Sequence, residues 1–581
     1  MQARTVWVAF ALLSLGVLQA NVSPDFTPIR SELANARGFS RGILNLVVLP
    51  DAEPFRRMPA WSVLLYAVLF LFLFTVRLTT FAKATAVKKR DTMYGSDTTY
   101  GSDTTYGSKT RVSTMLRFMA LIAIGLLVAV LVSPYVSPFR LVLAPRTFAL
   151  LVVMICATRA FGAWSTFVSR WTLADAVRRR LAIAAAGAIG AAFFASAMFQ
   201  TLAIYGGNYT GFLHIARDVA AQAPFLQERP DISGALIVDD AGYDGQFMYL
   251  MAFDPFLRRF ADRPEVYRAF IDYPPYRYGR IGFSLLTSLV SGQRAERYPA
   301  TMVWLILAAH AALAAALAAL AVRHGMAPWV GLWYLAIPAL MSSLMSALPE
   351  ALAAAGMITG WLCWEARRPV LAAVAFGAAL LVRETGVVLI VAILLSTRWR
   401  GPQWKSAVLV CVLSLLPVSA WRLFVASRLF SEFGWLAIVP TPGDFGPPFA
   451  GLLHLWQAGV GGAQAGSEIA GAMVFPLILA AALVAAMALL YTRPGPIEIA
   501  AAAYAGMAVS LNYDKIWRHL PSGERGTFEL FLCLLLLLLE SRTRPAWVRQ
   551  TLTGLFAVLL AYTFLVAPDA ATSRAALLLI R

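Results

Sequence analysis

Charge is scarce in this chain. Only 14% of its residues are Asp, Glu, Lys or Arg, against about 25% in an ordinary soluble domain, which argues against a water-soluble globular protein. Acid is the scarcer sign: 31 Asp and Glu stand against 49 Lys and Arg, a formal net charge of +18. The basic residues gather in short loops between apolar runs, as membrane topology requires, so no nucleic-acid partner is expected; contact with anionic membrane lipids is. Cysteine is nearly absent. Cys156, Cys363, Cys411 and Cys533 each fall in an apolar segment without CxxC or Cys/His spacing, which excludes a disulfide framework or a cysteine-held metal. The five histidines include no HExxH pair, so no zinc site is expected. A Walker A loop, a dinucleotide fingerprint, GxSxG and the kinase motifs are missing too, which leaves ATP-driven transport without support.

What fills the chain is hydrophobic: 59% of 581 residues, in repeated runs near the length that crosses hydrocarbon. Runs at 5–21, 60–81, 115–136, 146–164 and 181–205 are followed, after a long polar interruption, by 299–322, 326–347, 351–364, 369–397, 405–425, 471–491, 497–512, 527–540 and 547–566. An all-α polytopic membrane protein with about 13 or 14 spans is expected. Met1–Ala20 is either a signal sequence or a first helix that stays attached. Lys88–Arg90, Arg178–Arg180, Arg323, Arg367–Arg368, Arg398–Lys405, Arg542 and Arg544 all fall on the cytoplasmic side if 369–397 is a re-entrant hairpin. The loop after Tyr205 then lies outside. Segment 281–291 is too short to span comfortably and reads as a half-helix or interfacial helix. A tandem repeat, Tyr94 to Thr99, Tyr100 to Thr105 and Tyr106 to Lys109, reads as a low-complexity cytoplasmic linker within 83–114. It separates a membrane appendage, 1–170, from a core, 171–581, whose outside loop is 206–298.

That loop holds the chemistry. Gly242-Tyr243-Asp244-Gly245-Gln246-Phe247-Met248-Tyr249 is its centre. Asp239, Asp240, Asp244 and Asp254 form an acid cluster. Asp244 can accept a proton from an attacking hydroxyl or cap a helix starting at Gly245, and the two roles are compatible. Gly242 and Gly245 allow close backbone approach to a ligand. Aromatics 243, 247 and 249 could build a stacking wall. In Asp272-Tyr273-Pro274-Pro275-Tyr276-Arg277-Tyr278-Gly279-Arg280, Arg277 and Arg280 grip a phosphate or anchor at the interface, as Tyr276 and Tyr278 are expected to do. Glu350, Arg383 and Glu384 are charges set among apolar residues, where they mark either a functional cavity or a buried pair joining helices. Arg383 and Glu384, adjacent in sequence, do not face each other on a regular helix, so each needs a partner elsewhere. Lys515, Arg518 and Arg525 can neutralise an anionic leaving group; His519 is a candidate acid or base.

A membrane helix followed by an outside loop with an early Asp and "GYDGQFMY" resembles the first loop of GT-C-type glycosyltransferases, the superfamily of aminoarabinose transferases and protein mannosyltransferases. "DYPPYRYGRIGFSLL" sits where such proteins re-enter the membrane. "ALPEALAAAG" resembles their second acidic motif, and "AALLVRETGVVL" a segment of a bacterial subgroup linked to cell-surface glycopolymers. The likeness covers roughly 181–540. It implies a GT-C-like multi-helix bundle with a long helical extracytoplasmic first loop, in the bacterial cytoplasmic membrane. It also implies inverting transfer from a polyprenyl-phosphate-linked sugar to a glycan or lipid acceptor at the outer face. Asp244 would be the catalytic base and Glu350 a second acid positioning substrate or a metal. Tyr243, Gln246, Arg277, Arg280, Arg383, Glu384 and Arg525 would bind substrate, Arg525 at the lipid phosphate. Arg525 departs from the family's pattern, since it leads into "GTFEL" rather than Pro-Leu. No fixed cofactor is implied, although a divalent cation is compatible. The competing readings are a flippase for lipid-linked glycans, which needs a polar path through both leaflets, and a non-catalytic envelope assembly protein.

Overall fold

The computed structural model describes residues 175–565, apart from 241, 398–400, 439–444, 452–465, 493 and 513–519. The expected appendage 1–170, its linker, Cys156, Lys515, Arg518 and His519 lie outside the described residues.

The described chain is helical. Helix α1 (Asp175–Ile204) leads into the polar loop. That loop is made of short helices: Arg217–Gln222, Pro224–Gln227, Pro230–Ser233 and Val266–Phe270, with α2 (Asp244–Met251), α3 (Pro274–Tyr278) and the half-length α4 (Gly282–Val290). Then follow α5 (Tyr298–Arg323), α6 (Pro338–Met345), α7 (Glu350–Glu365), α8 (Pro369–Val382) and α9 (Val387–Ser396). The last are α10 (Trp404–Phe433), α11 (Gly466–Thr492), α12 (Pro496–Ser510), α13 (Leu520–Gly526), α14 (Phe528–Leu539) and α15 (Ala546–Leu565). Proline opens several of them, at 274, 338, 369 and 496, where its missing N–H costs nothing.

Among the described residues four helices are long and apolar enough to cross a membrane: Arg179–Ala203, Ala295–Arg323, Trp404–Ala437 and Phe475–Thr492. A fifth is added if Pro328–Ala336 and Pro338–Met345, bent by 66°, count as one span. This is fewer than the apolar runs of the same stretch. Two causes act: Pro338 divides one run and Arg383-Glu384 divides another into α8 and α9, while α7, α12 and α14 are unbroken but only 16, 15 and 12 residues long. The two arms do go and return. Arg367, two residues before α8, and Gln403, immediately before α10, line one cavity, while the break at 383–386 lies at the other end of α7, beside Glu350.

Burial follows the pattern of side chains. Helix α14, FELFLCLLLLLL, is apolar almost all round and buried at all 12 positions, as such a helix must be. Helix α5 packs on α1 and α7, α7 on α8, α8 on α10, and α12 on both α9 and α14. Helix α10 instead leaves Val412, Leu416 and Leu423 exposed, an outward face suited to acyl chains. The chain is a helical membrane protein by these features.

Candidate functional site

The loop's centre is fixed by backbone. Strand β1 (Ile215–Ala216) pairs in parallel with β2 (Val238–Asp239). Tyr243 N–H donates to the His214 carbonyl at 2.9 Å, and the Ala216 N–H donates to Gln246 Oε1 at 2.9 Å. Gln246 is buried. Its side-chain oxygen is therefore engaged within the loop, as a strut between α2 and β1. The two glycines serve internal packing rather than a ligand. A Cβ on Gly245 would stand 2.3 Å from the Ser346 carbonyl oxygen and 3.0 Å from that of Leu213; one on Gly242 would meet the Gln246 amide. Gly245→Ala is expected to push α2 off the 346 backbone and lower stability by about 1–3 kcal/mol. Thermal unfolding in detergent measures this, and an unchanged melting temperature would contradict the packing.

Asp244 is the first residue of α2, after Tyr243 in extended conformation. Its side chain caps nothing, which corrects the capping alternative. Its carboxylate lies between two guanidiniums: Arg277 Nη2 donates to Oδ1 at 2.9 Å and Arg525 Nη1 to Oδ2 at 2.9 Å. From there the charges alternate in both directions. Arg277 also grips Asp272, Nε to Oδ1 at 2.7 Å. Arg525 Nε donates to Glu350 Oε1 at 2.7 Å, the same oxygen that takes Arg383 Nη1 at 3.1 Å. Arg383 Nε reaches Glu529 Oε1 at 2.6 Å, and its Nη2 the Arg525 carbonyl at 2.9 Å. The row Asp272, Arg277, Asp244, Arg525, Glu350, Arg383, Glu529 thus ties α2, α3, α7, α13 and α14 to the break after α8.

The break is itself held. Tyr504 of α12 donates to the Thr385 carbonyl at 2.8 Å, and the Thr385 hydroxyl donates to Glu529. Glu384 turns the other way and pairs with Arg280, whose guanidinium lies 4.1 Å over the Tyr276 ring. Arg383 and Glu384 therefore have separate partners, as their adjacency requires.

Exposure separates the two acids. The Asp244 side chain is 26% exposed and that of Glu350 is 0% exposed. Glu350 is sealed at the start of α7, its second oxygen taking the Ser343 hydroxyl at 2.8 Å. It sets Arg525 and Arg383 in place but is not itself open to a substrate. Burial would push the Asp244 carboxyl up, but Arg277 and Arg525 outweigh it and hold it well below the usual carboxylate range. Tyr243 lines the same spot: its hydroxyl accepts from Arg525 Nη1 at 3.0 Å and meets Ser522 at 3.1 Å.

A divalent cation does not fit this row. Each Asp244 oxygen already bonds a guanidinium, and a dication between Asp244 and Glu350 would stand against Arg525.

Other expectations are redrawn. The acid cluster disperses: Asp239 pairs with His214, Asp240 lies beside Arg217, and Asp254 receives the Arg258 and Arg259 N–H groups and the Tyr267 hydroxyl. Tyr249 is fully buried and Phe247 lies under Arg277, so Tyr243 is the aromatic at the site. Tyr278 is no interfacial anchor; it is buried and its hydroxyl donates to the Asp254 carbonyl at 3.3 Å. Reading residue types missed Glu529 and Ser343. An acid inside "TFELFLC" was the available signal for Glu529; a serine in an apolar helix carries none.

The chain matches no protein-family model, no curated protein and no solved structure.

Proposed function

We propose that the chain is an integral-membrane glycosyltransferase of GT-C type. It moves a sugar from a polyprenyl-phosphate donor to a hydroxyl of an envelope glycan or lipid, at the outer face of the bacterial cytoplasmic membrane. The observation that carries this reading is the meeting of one partly open carboxylate, Asp244, with Arg277 and Arg525 at one end of an apolar helix bundle.

The roles follow from charge. The acceptor hydroxyl attacks the anomeric carbon as the bond from that carbon to the phosphate oxygen breaks. Asp244 takes the hydroxyl proton. The departing polyprenyl phosphate keeps the bonding electron pair, and Arg525 and Arg277 receive its negative charge. Both arginines now hold Asp244, which leaves it a weak base. A phosphate that draws one guanidinium away frees a carboxylate oxygen and raises its basicity, so donor arrival and base activation are one event. Attack opposite the leaving phosphate inverts the anomeric carbon. Glu350, Arg383 and Glu529 act through Arg525 as positioning residues.

The test is a product assay. Purified full-length protein is given polyprenyl-phosphate-linked sugars and candidate acceptors, and mass spectrometry follows the glycoside and the released polyprenyl phosphate. The two are expected in equal amounts. Movement of intact lipid-linked glycan between leaflets without a new glycosidic bond would replace this reading with the flippase.

A further inference from the structure

Opposite the Asp244 site the bundle carries a second feature. Helices α5, α7 and α14 each run from the site end to an end rich in arginine: Arg323 closes α5, Arg367 and Arg368 follow α7, and Arg542 and Arg544 follow α14. Along α7, Glu350 and Glu365 are about 22 Å apart at 1.5 Å per residue. At this far end a cavity of about 300 Å³ is lined by Arg323, Trp364, Glu365, Arg367 and Gln403.

The charges there are unequal in their commitments. Glu365 is fully engaged, by Arg323 at 3.1 Å, His324 at 3.1 Å and Trp361 at 2.8 Å. Among the described residues, the Arg367 guanidinium and the Gln403 amide have no hydrogen bond or ion pair. Arg367 is exposed and Gln403 half-buried, so the open side of the cavity presents one solvated cation and one amide donor to a ligand arriving from outside.

Arg367 also sits where its backbone is strained. Helix α7 ends with Arg368 N–H on the Cys363 carbonyl and Arg367 N–H on the Trp364 carbonyl. That closure puts residue 367 in the left-handed region, at φ 60°, a position that glycine favours. A cation for the C-terminal dipole of α7 is already supplied by Arg368, one residue on. The arginine at 367 is held against local preference, and the cavity is what its side chain reaches.

Exposed apolar side chains stand on the two helices that start beside the cavity. Val370, Leu371 and Val374 on the first turns of α8, and Leu409 and Val412 on α10, are exposed. A ligand that is anionic at one end and hydrocarbon beyond it matches this sequence of surfaces. Basic pockets between membrane helices at the arginine-rich face take such headgroups, and the positive-inside rule puts this face in the cytoplasmic leaflet.

We infer that the cavity between the ends of α5, α7 and α10 is a binding site for an anionic phospholipid of the inner leaflet. The phosphate bonds Arg367 and the Gln403 amide, Trp364 lies at the headgroup level, and the acyl chains run along α8 and α10. This site is independent of the glycosyltransferase reading.

Native mass spectrometry of the full-length protein, released from nanodiscs of equimolar phosphatidylglycerol and phosphatidylcholine with identical chains, tests it. Wild type is expected to keep phosphatidylglycerol in preference to phosphatidylcholine. Arg367→Gly separates binding from folding, because glycine relieves the left-handed backbone: its melting temperature should hold or rise. Its phosphatidylglycerol adduct should fall about fivefold, the loss of one basic contact. Arg294→Ala, an exposed arginine at the site end, should leave the adduct unchanged. Equal adducts in wild type and Arg367→Gly, or no preference between the two lipids, would overturn the assignment.

Discussion

Glu350→Gln is expected to destabilise the protein by about 3–5 kcal/mol, the scale for removing one member of a buried ion pair. Glutamine keeps the volume and the partner of Ser343, so the change isolates charge. It leaves Arg525 and Arg383 facing a neutral oxygen where one anion now serves both, at 2.7 and 3.1 Å. Asp244 and Glu529 remain as partners, but neither can take Glu350's place between the two guanidiniums. Desolvated cations without a shared anion are the dominant penalty, because the Arg525 and Arg383 side chains are themselves only 9% and 11% exposed. Thermal unfolding in a fixed detergent gives the direction. A double-mutant cycle with Arg383→Gln gives the coupling, expected above about 1 kcal/mol for contacting charges. A Glu350→Gln protein that melts within about 1 °C of wild type would show that the charge of Glu350 adds nothing to stability.

That row explains what the residue types could and could not announce. Glu350, Arg383 and Glu384 stood out because charge among apolar residues is costly, and each is in a buried or half-buried ion pair. Their pairing was out of reach. Arg525 meets Glu350 across 175 residues and Asp244 across 281, and no local pattern encodes such separations. The polar loop was harder. Polarity alone made Asp239, Asp240 and Asp254 equal to Asp244, yet they are spent on His214, Arg217 and the turn at 258–259. The two glycines signalled close approach correctly and its object wrongly: the neighbour of Gly245 is the 346 backbone. Apolar runs located the helices because their period and length are local properties. Among the described residues the runs outnumber the helices long enough to cross, because Pro338 and Arg383-Glu384 break two of them and α7, α12 and α14 are short.

Asp244→Asn should abolish most transfer, by about 10²–10⁴-fold, the usual contribution of a positioned general base. The side chain keeps its size and its place at the start of α2, but the amide cannot take the acceptor proton. It also releases Arg277 and Arg525 from the anion each holds at 2.9 Å, which makes the arginines more available to a phosphate. The substitution should therefore leave donor affinity unchanged or improved while transfer collapses, a split that simple unfolding cannot produce. Asp272→Asn is the companion. It frees Arg277 from its other carboxylate, at 2.7 Å, without touching the proposed base, so transfer should fall far less. Envelope glycans from a deletion strain, complemented with wild type, Asp244→Asn or Asp272→Asn, give the same comparison in cells. Transfer by purified Asp244→Asn within a few-fold of wild type would remove Asp244 as the base, and the proposed chemistry with it.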